Sequence, residues 1–231
     1  MWTIGDIKTR GKNAFTSNYL SSVIVAFVLS LLITGTAVSS GSQASSTVDE
    51  KGIEALLLEA DPAVLYALFG VLMSISIIGF ILKLFVFNPL QVGGYRFFKK
   101  NVEDGNVSIG VLGEGFSGYF RIFITLFLKD LFLFLWTMVF CIPGLIKLYS
   151  YRLVPYILKD NPELSATQVI TRSRQLMNGY KWKAFVYDIS FIGWFILGAI
   201  PAVGQLITFF WTSPYKKNSD AALYLEISKN Q

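Results

Sequence analysis

Three apolar runs in this sequence are long enough to cross a lipid bilayer, and they restrict its fold more than any other feature. The runs are residues 20–38, 63–90 and 122–141. About 20 helical residues cross the hydrocarbon core, because an α-helix rises about 1.5 Å per residue. The first run exceeds the roughly 7–15 apolar residues of a signal peptide, so we expect it to remain in the mature chain. The runs predict three transmembrane helices.

The amino-acid composition agrees with a membrane environment. The chain of 231 residues is 53% hydrophobic and only 15% charged, whereas soluble proteins carry about 25% charged residues. Its 20 Phe and 5 Trp suit contact with lipid and with the membrane–water interface. A soluble α-helical protein with a very large core is the alternative, and it does not account for three runs of this length.

Two further apolar regions are interrupted by proline and glycine. The sequences IPG at 142–144 and IPAVG at 200–204 are typical of turns, so we expect each to contribute to a tight helical hairpin. The predicted fold class is an all-α membrane protein with six transmembrane helices in three hairpins. The predicted spans are residues 20–38, 63–90, 122–141, 143–159, 184–199 and 203–215.

Lysine and arginine are distributed unevenly between the predicted loops. Fifteen of the 20 cations fall on one side, and only Lys51 and Lys147 fall on the other. Because cytoplasmic loops carry an excess of these residues, both termini are predicted to be cytoplasmic, with residues 216–231 as a tail. Loop 39–62, which is acidic, is then extracellular. The predicted cytoplasmic segments are 1–19, 91–121, 159–183 and 212–231.

Two basic segments, 1–19 and 163–179, predict amphipathic helices. A narrow apolar stripe forms on each at about 100° per residue, and the two stripes are offset by 162 residues. A cap formed by Ser165 and Gln168 predicts the start of the second helix, and Gly179 predicts its end. The stripes consist of Ile7, Gly11, Ala14 and Phe15 in the first helix, and Val169, Ile170, Ser173, Leu176 and Met177 in the second.

Cations border both stripes. A helix of this kind suits the membrane–water interface, where its cations reach the phosphates of an anionic inner leaflet. The alternative is a solvated cytoplasmic helix whose apolar face packs against the rest of the protein. The residues predicted to contact the membrane surface are Arg10, Lys12, Arg172, Arg174, Lys181 and Lys183.

Prolines at similar intervals indicate that an arrangement of an entry helix followed by a hairpin repeats along the chain. Pro89, Pro155 and Pro214 each follow an apolar region, and they are separated by 66 and 59 residues. Three units, each with an entry helix and a hairpin, account for this spacing. The entry segment of the middle unit, 108–120, lacks the paired cations.

Five charged residues fall inside the predicted spans, where each costs about 2.5–3.5 kcal/mol at mid-bilayer. Counted along their helices they lie at similar depths, so acids and bases can pair, for example Asp130 with Arg152 and Asp188 with Lys83. In one interpretation they are structural: Lys83 and Lys129 extend to the interface and the others form ion pairs. In the other they line a polar cavity that opens to the cytoplasmic leaflet and takes a lipid headgroup or a small anion. The residues of this polar layer are Lys83, Lys129, Asp130, Arg152 and Asp188.

Small residues four positions apart predict faces for close helix packing. Such a face serves either packing within the chain or contact with a second copy or a partner. The face consists of Ser22, Ala26, Ser30 and Thr34 on the first span, and Gly70 and Ser74 on the second.

Several motifs resemble the bacterial integral-membrane family called domain of unknown function 975. They are GGYRFF (93–98), the IPG…VPYILKDNP stretch (142–162), SRQLMNG (173–179) and FIGW (191–194). The resemblance also includes TRGKNAF (9–15), whereas the acidic loop is less typical of the family. It implies a multi-pass protein of the bacterial cytoplasmic membrane, and it supplies no catalytic residues.

Signatures of enzymes are absent from the sequence. It has no histidine and one cysteine, and it lacks the common hydrolase and phosphate-loop motifs. We therefore expect no enzymatic activity, no cofactor and no metal site, and the net charge of +5 requires no nucleic-acid partner. The expected function is that of a non-enzymatic membrane protein that acts through lipid or a protein partner, such as an accessory subunit of a transport or envelope-maintenance system. A small permease for a lipid or amphiphile is the alternative.

Overall fold

The computed structural model describes residues 2–37, 61–200 and 203–229, and within these ranges the regular structure is helical throughout. The predicted all-α class is therefore confirmed for this part of the chain. The helices belong to two compact units, a larger one formed by Met1–Ser30 with Asn88–Gln231 and a smaller one formed by Leu31–Phe87. Most of the predicted acidic loop 39–62 lies outside the described residues.

The smaller unit contains the long apolar helix α3 (Pro62–Leu82), which continues as a π-helix over Lys83–Phe87. Asp61 caps the start of α3, since its side-chain carboxylate accepts a hydrogen bond of 2.8 Å from the amide of Ala63. The preceding helix α2 (Tyr19–Ala37) begins in the larger unit and ends in the smaller one.

The larger unit contains α1 and most of the shorter helices. Their bounds are α1 Ile4–Ser17, α4 Asn88–Asp104, a 3₁₀ helix Ile109–Phe116, α5 Tyr119–Val139, α6 Cys141–Ser150, α7 Val154–Asp160, α8 Ala166–Leu176, α9 Lys181–Ile189, α10 Ile192–Gly198, α11 Val203–Ile207 with a π-helix Thr208–Thr212, and α12 Ser213–Lys229.

Helix α1 begins with a reciprocal cap. The amide of Asp6 donates to the Thr3 hydroxyl (3.1 Å), and the amide of Thr3 donates to the Asp6 carboxylate (2.9 Å). The residues of α1 that are buried are the four of the predicted apolar stripe, so this prediction is confirmed. They face α12, and α1 meets α2 at a bend of 104°.

Helix α8 also follows its prediction. The Gln168 side chain accepts a hydrogen bond of 2.8 Å from the amide of Ser165, and Gly179 turns the chain with a φ of 80°. All five residues of the predicted stripe are buried, and they pack against α5, α6 and α7.

The segment 216–231, predicted as a tail, begins inside a buried helix. Most of α12 is buried, and the helix packs against α1 and α4. Asn218 belongs to a buried amide network centred on Asn101: Asn101 donates to the Asn218 side chain (2.8 Å), and Asn18 donates to Asn101 (2.9 Å). Because buried amides are costly without partners, this network holds α12 against α4 and the α1–α2 junction.

The predicted spans correspond to helices of very different length. Residues 143–159 form two helices, α6 and α7, which are separated at Tyr151–Leu153. Pro155 has no amide hydrogen and disfavours helical geometry in the residue before it, so α7 begins next to it. Residues 184–199 are likewise divided between α9 and α10, and 203–215 between α11, a π-helix and α12.

Among the described residues, two helices are long and apolar enough to cross a membrane, and a third qualifies if the bent α1–α2 pair counts as one span. The two are Pro62–Gly79 in α3 and Tyr119–Val139, which is α5. The structure thus contains a few membrane-compatible helices.

Candidate functional site

Arg152 occupies the centre of a charged cluster in the larger unit. Its guanidinium makes two hydrogen bonds to the Asp188 carboxylate (2.7 and 3.0 Å) and a third to Asp220 (2.7 Å). The break between α6 and α7 places Arg152 where α9 and α12 both reach it. Three hydrogen bonds between charged groups hold this side chain firmly in one orientation.

Lys216 supplies the second cation of the cluster. Its ammonium pairs with Asp188 (3.0 Å) and with Asp220, which lies one helical turn further along α12. The Tyr187 hydroxyl donates to Asp220 (3.0 Å). Burial alone would raise the pKa of Asp220, but the charges of Lys216 and Arg152 outweigh it and lower that pKa to about 2.

A cavity of about 240 Å³ lies beside this cluster, also within the larger unit. Its polar lining comes from Lys129 on α5, Arg152 and Asp188, with Gln91 and Tyr95 on α4. Leu126, Leu133 and Leu148 supply apolar walls. Since a water molecule takes about 30 Å³ of liquid volume, the cavity has room for several waters or one small polar group.

Three of the five residues of the predicted polar layer thus line one cavity, namely Lys129, Arg152 and Asp188. Asp130 does not join them, because its side chain is 58% exposed and pairs with the adjacent Lys129 (2.9 Å). Lys83 belongs to the smaller unit and is exposed.

The observed ion pairs differ from the two that we suggested from the sequence. Arg152 pairs with Asp188 and Asp220 rather than with Asp130, and Asp188 pairs with Arg152 and Lys216. Depth along a helix was the basis of the suggestion, and depth does not say which way a side chain points. Asp130 is on the exposed side of α5.

Sequence reasoning missed Lys216 and Asp220 because the charged carboxyl-terminal segment resembles a solvated tail. One signal was available: the two residues are four positions apart after Pro214, which is the spacing of a helical ion pair. Tyr187 gave no comparable signal, since an aromatic residue in an apolar segment is ordinary.

A second charged cluster joins α4, the 3₁₀ helix, α7 and α12. Asp160 accepts from Arg96 (2.8 Å), from Lys99 (2.8 Å) and from the Tyr224 hydroxyl (2.5 Å). Glu114 accepts from Lys100 (2.6 Å) and Arg96 (3.2 Å). Each carboxylate meets more than one cation, so this cluster serves to hold four elements together.

The cations predicted to contact the membrane surface have several environments. Lys12, Arg172 and Arg174 are exposed. Arg10 pairs with Glu226 (3.1 Å) on α12. The ammonium of Lys183 lies 3.7 Å from the centre of the Trp2 ring and donates to the Trp2 carbonyl, and Lys181 is half-buried.

The apolar stripes between these cations are covered by protein. Ile7, Phe15 and Val169 are fully buried, so they are not available to lie among acyl chains. Of the two interpretations of the basic helices, packing against the rest of the protein is the one observed for their apolar faces. Only the exposed cations remain free to meet a leaflet.

The predicted helix-packing face is divided in its environment. Ser22 and Ala26 are fully buried and Ser30 is half-buried, whereas the side chain of Thr34 lies outside the described set. Gly70 and Ser74 are exposed on α3, and the Ser74 hydroxyl donates to the Gly70 carbonyl (2.7 Å). Packing within the chain therefore accounts for the α2 part of the face.

In the described ranges, no group of three or more His, Cys, Asp or Glu side chains is placed to hold a metal ion. The charged cluster around Arg152 pairs its carboxylates with cations.

Comparison with known proteins identifies one family. Residues 141–231 match the family model described as "Protein of unknown function (DUF975)". No curated protein and no solved structure matches the chain. The matched region includes Arg152, Asp188 and the whole of α12. The carboxyl-terminal part of the chain, residues 141–231, therefore matches the family that its motifs resemble.

Proposed function

We propose that this is a non-enzymatic integral protein of the bacterial cytoplasmic membrane. It acts through anionic lipid or through a membrane-protein partner, as an accessory subunit of a transport or envelope-maintenance system does. The observation that carries the proposal is the exposed surface of α3, where none of the apolar window Pro62–Gly79 is buried. A contiguous apolar surface of this size needs lipid or another protein against it.

The proposed topology keeps both termini in the cytoplasm and uses three apolar hairpins. The first, formed by α2 and α3, crosses the bilayer. The second is α5 with α6. Only 10 residues separate Lys129 from the end of α5, and α6 has 10 residues, so this hairpin extends about 15 Å beyond the charged cluster. That is half of the roughly 30 Å hydrocarbon core.

The third hairpin has the same reach. Ten residues separate Asp188 from Gly198 at the end of α10, and ten more form the return segment Val203–Thr212. We infer that both short hairpins enter from the cytoplasmic face and turn back inside the membrane. The exposed carboxylate of Asp130 supports this depth, because it then lies at the interface, where a charge costs little.

Six complete spans are the alternative topology. They require the cluster around Arg152 to lie about 10 Å inside the hydrocarbon, with the exposed Asp130 facing lipid. Lys and Arg counts do not separate the two topologies, because a hairpin that turns back leaves both termini on the same side.

Native mass spectrometry of the full chain, extracted gently from its own membrane, tests the function. We expect either a stoichiometric membrane-protein partner or retained anionic phospholipid. A partner assigns the protein to that partner's pathway as a subunit, and lipid without a partner assigns it to lipid handling. A chain that carries neither in several mild detergents contradicts the proposal.

The cavity beside Arg152 favours a second candidate, a small permease for a lipid or amphiphile. Its polar lining includes Lys129 of α5, which belongs to the second hairpin. Transfer of a short-chain fluorescent lipid across proteoliposomes, compared between the native chain and Lys129→Gln, tests it. Lys129 lines the cavity without belonging to the Arg152 cluster, so the variant should fold and slow the transfer. Absence of transfer by the native chain excludes this candidate.

A further inference from the structure

A second cavity, of about 370 Å³, lies at the junction of α6, α8 and α9. Three cations from these three helices line it: Lys147, Arg174 and Lys181. The remaining lining residues are polar and neutral, namely Ser150, Thr171, Gln175 and Asn178. The lining contains no carboxylate, unlike that of the cavity beside Arg152.

Among the described residues, no carboxylate forms an ion pair with any of these three cations. Within the part of the chain that the structure describes, Arg152, Lys216, Arg96 and Lys99 all pair with carboxylates, but Lys147, Arg174 and Lys181 have none within 4.0 Å. Lys147 instead lies 4.3 Å from the centre of the Trp136 ring. Like charges that share a cavity repel each other, and an anion that joins them relieves this repulsion.

The fold builds this cavity from rigid elements. The Ser173 hydroxyl donates to the Ser150 carbonyl (2.8 Å), and both residues are buried, so α8 is held against the end of α6. Gly179 then turns the chain, with a φ of 80°, and returns Lys181 to the same side. The cations thus converge because of backbone geometry and not because flexible side chains happen to meet.

We propose that this cavity binds a phosphate group. The oxygens of one phosphate group can accept hydrogen bonds from the planar guanidinium of Arg174 and from the ammonium groups of Lys147 and Lys181 at the same time. Asn178 and Thr171 add neutral donors at the rim.

Phospholipid headgroups and free phosphate both carry this group. The lipid source fits the surroundings, because Leu145 and Ile146 are exposed on α6 next to Lys147 and offer an acyl chain an apolar track. This proposal deepens the proposed function, because it names the site at which a lipid headgroup binds. It rests on the proposed function only in choosing lipid over free phosphate as the source of the phosphate group.

The test compares two double variants of the full chain in neutral detergent. Arg174→Gln with Lys181→Gln removes two cations from the cavity. The control, Lys217→Gln with Lys229→Gln, removes two cations of α12 that do not line it. Two ligands are titrated at constant ionic strength. Binding of inorganic phosphate is measured by the shift of the thermal unfolding midpoint. Binding of phosphatidic acid is measured by native mass spectrometry, with diacylglycerol as the phosphate-free comparison.

For each ligand that the native chain binds, we expect the affinity to fall at least tenfold in the cavity variant and less than twofold in the control. Binding of both ligands, or of phosphatidic acid alone, supports a headgroup site. Binding of inorganic phosphate alone supports an anion site in the cavity but assigns free phosphate as its ligand. Native mass spectrometry of the chain extracted from its own membrane then decides the proposed function. Equal losses in the two variants, or no binding of either ligand by the native chain, overturn the proposal.

Without ligand, the cavity variant should unfold at the same temperature as the native chain or higher, because repulsion between the cations is relieved. A lower midpoint would show that these cations stabilise the fold directly, and it would contradict the inference.

Discussion

Gly11 lies where α1 comes closest to α12, and the absence of a side chain permits that approach. A Cβ atom at this position would lie 2.2 Å from the Ser219 hydroxyl and 2.5 Å from its Cα. The hydroxyl can rotate away, but the Cα is backbone and cannot move without shifting α12. The contact therefore depends on this one residue.

Gly11→Ala should destabilise the larger unit by roughly 1–3 kcal/mol, the usual cost of overpacking. Gly5→Ala, in the same helix, is the matched control: its nearest neighbour would be 3.6 Å away, so the substitution should be neutral or stabilise by up to about 1 kcal/mol. Thermal unfolding in detergent measures both. Equal stability of the two variants would contradict the α1–α12 packing.

Asp220 makes stability depend on pH. Its pKa is lowered from 3.8 to about 2, so the stabilisation is present above pH 3.8 and is lost as the pH falls towards 2. A shift of this size corresponds to about 2 kcal/mol. Unfolding measured from pH 6 down to pH 2 should reveal the loss in the native chain.

Asp220→Asn should lower stability at pH 6 by about 2–4 kcal/mol, because Arg152 and Lys216 then share one carboxylate. Its stability should also change less than that of the native chain between pH 4 and pH 2. Glu163→Gln, at an exposed position, controls for the loss of an acid. An Asp220→Asn chain that matches this control at pH 6 would refute the buried cluster.

The two short hairpins use the same packing device. A Cβ atom on Gly144 would lie 2.6 Å from the Thr137 hydroxyl, and one on Gly198 would lie 2.4 Å from the Thr208 hydroxyl. In each hairpin a glycine on one arm meets a threonine on the other, so the arms approach closely. Large apolar side chains at the turn of the α5–α6 hairpin, such as Phe140 and Ile142, are about 70% exposed.

Cys141 reports the depth of the second hairpin. It is the chain's only cysteine, and it is exposed at the turn between α5 and α6. If the hairpin turns back inside the membrane, a charged maleimide should not label it in intact or permeabilised cells, and should label it after detergent is added. Six complete spans predict labelling in intact cells.

A cysteine at position 12 in a Cys141→Ser background is the control for this measurement. Lys12 is exposed and belongs to the amino-terminal segment, so Lys12→Cys should be labelled only once cells are permeabilised. Labelling of that variant in intact cells would contradict a cytoplasmic amino terminus.

The three prolines that suggested a repeat have equivalent places in the helices. Pro89, Pro155 and Pro214 are each the second residue of a helix, α4, α7 and α12 respectively. Proline suits the first turn, where amide hydrogens lack partners in any case. A π-helix precedes the first and last of these helices, and the turn at Tyr151–Leu153 precedes the middle one.

The larger unit as a whole is held by contacts between residues far apart in sequence. The amide network links Asn18, Asn101 and Asn218, and the cluster around Arg152 links α9 and α12 to the α6–α7 break. Within the larger unit, these networks lie among the polar helices, whereas large apolar side chains on α5, α6 and α10 are exposed. The larger unit thus combines a polar, hydrogen-bonded part with exposed apolar surfaces.

Local features of this structure could be predicted residue by residue. The apolar stripes of α1 and α8, the cap at Ser165 and the turn at Gly179 all follow from spacing and from backbone preference. These depend on interactions within a few residues, which a linear sequence displays directly. The helical class follows in the same way.

What covers each helix could not be predicted in that way. The stripes of α1 and α8 pack on protein instead of lipid, and the charged segment after Pro214 becomes a buried helix. Arg152 pairs with Asp188, 36 residues away, and with Asp220, 68 residues away.

The sequence by itself therefore determined the helical class and which faces of α1 and α8 are apolar, while the tertiary structure decided which charges meet and which faces are buried. The physical reason is the distance along the chain over which each interaction acts. Helix formation and capping act over one or two turns, whereas burial and ion pairing depend on how distant helices are brought together.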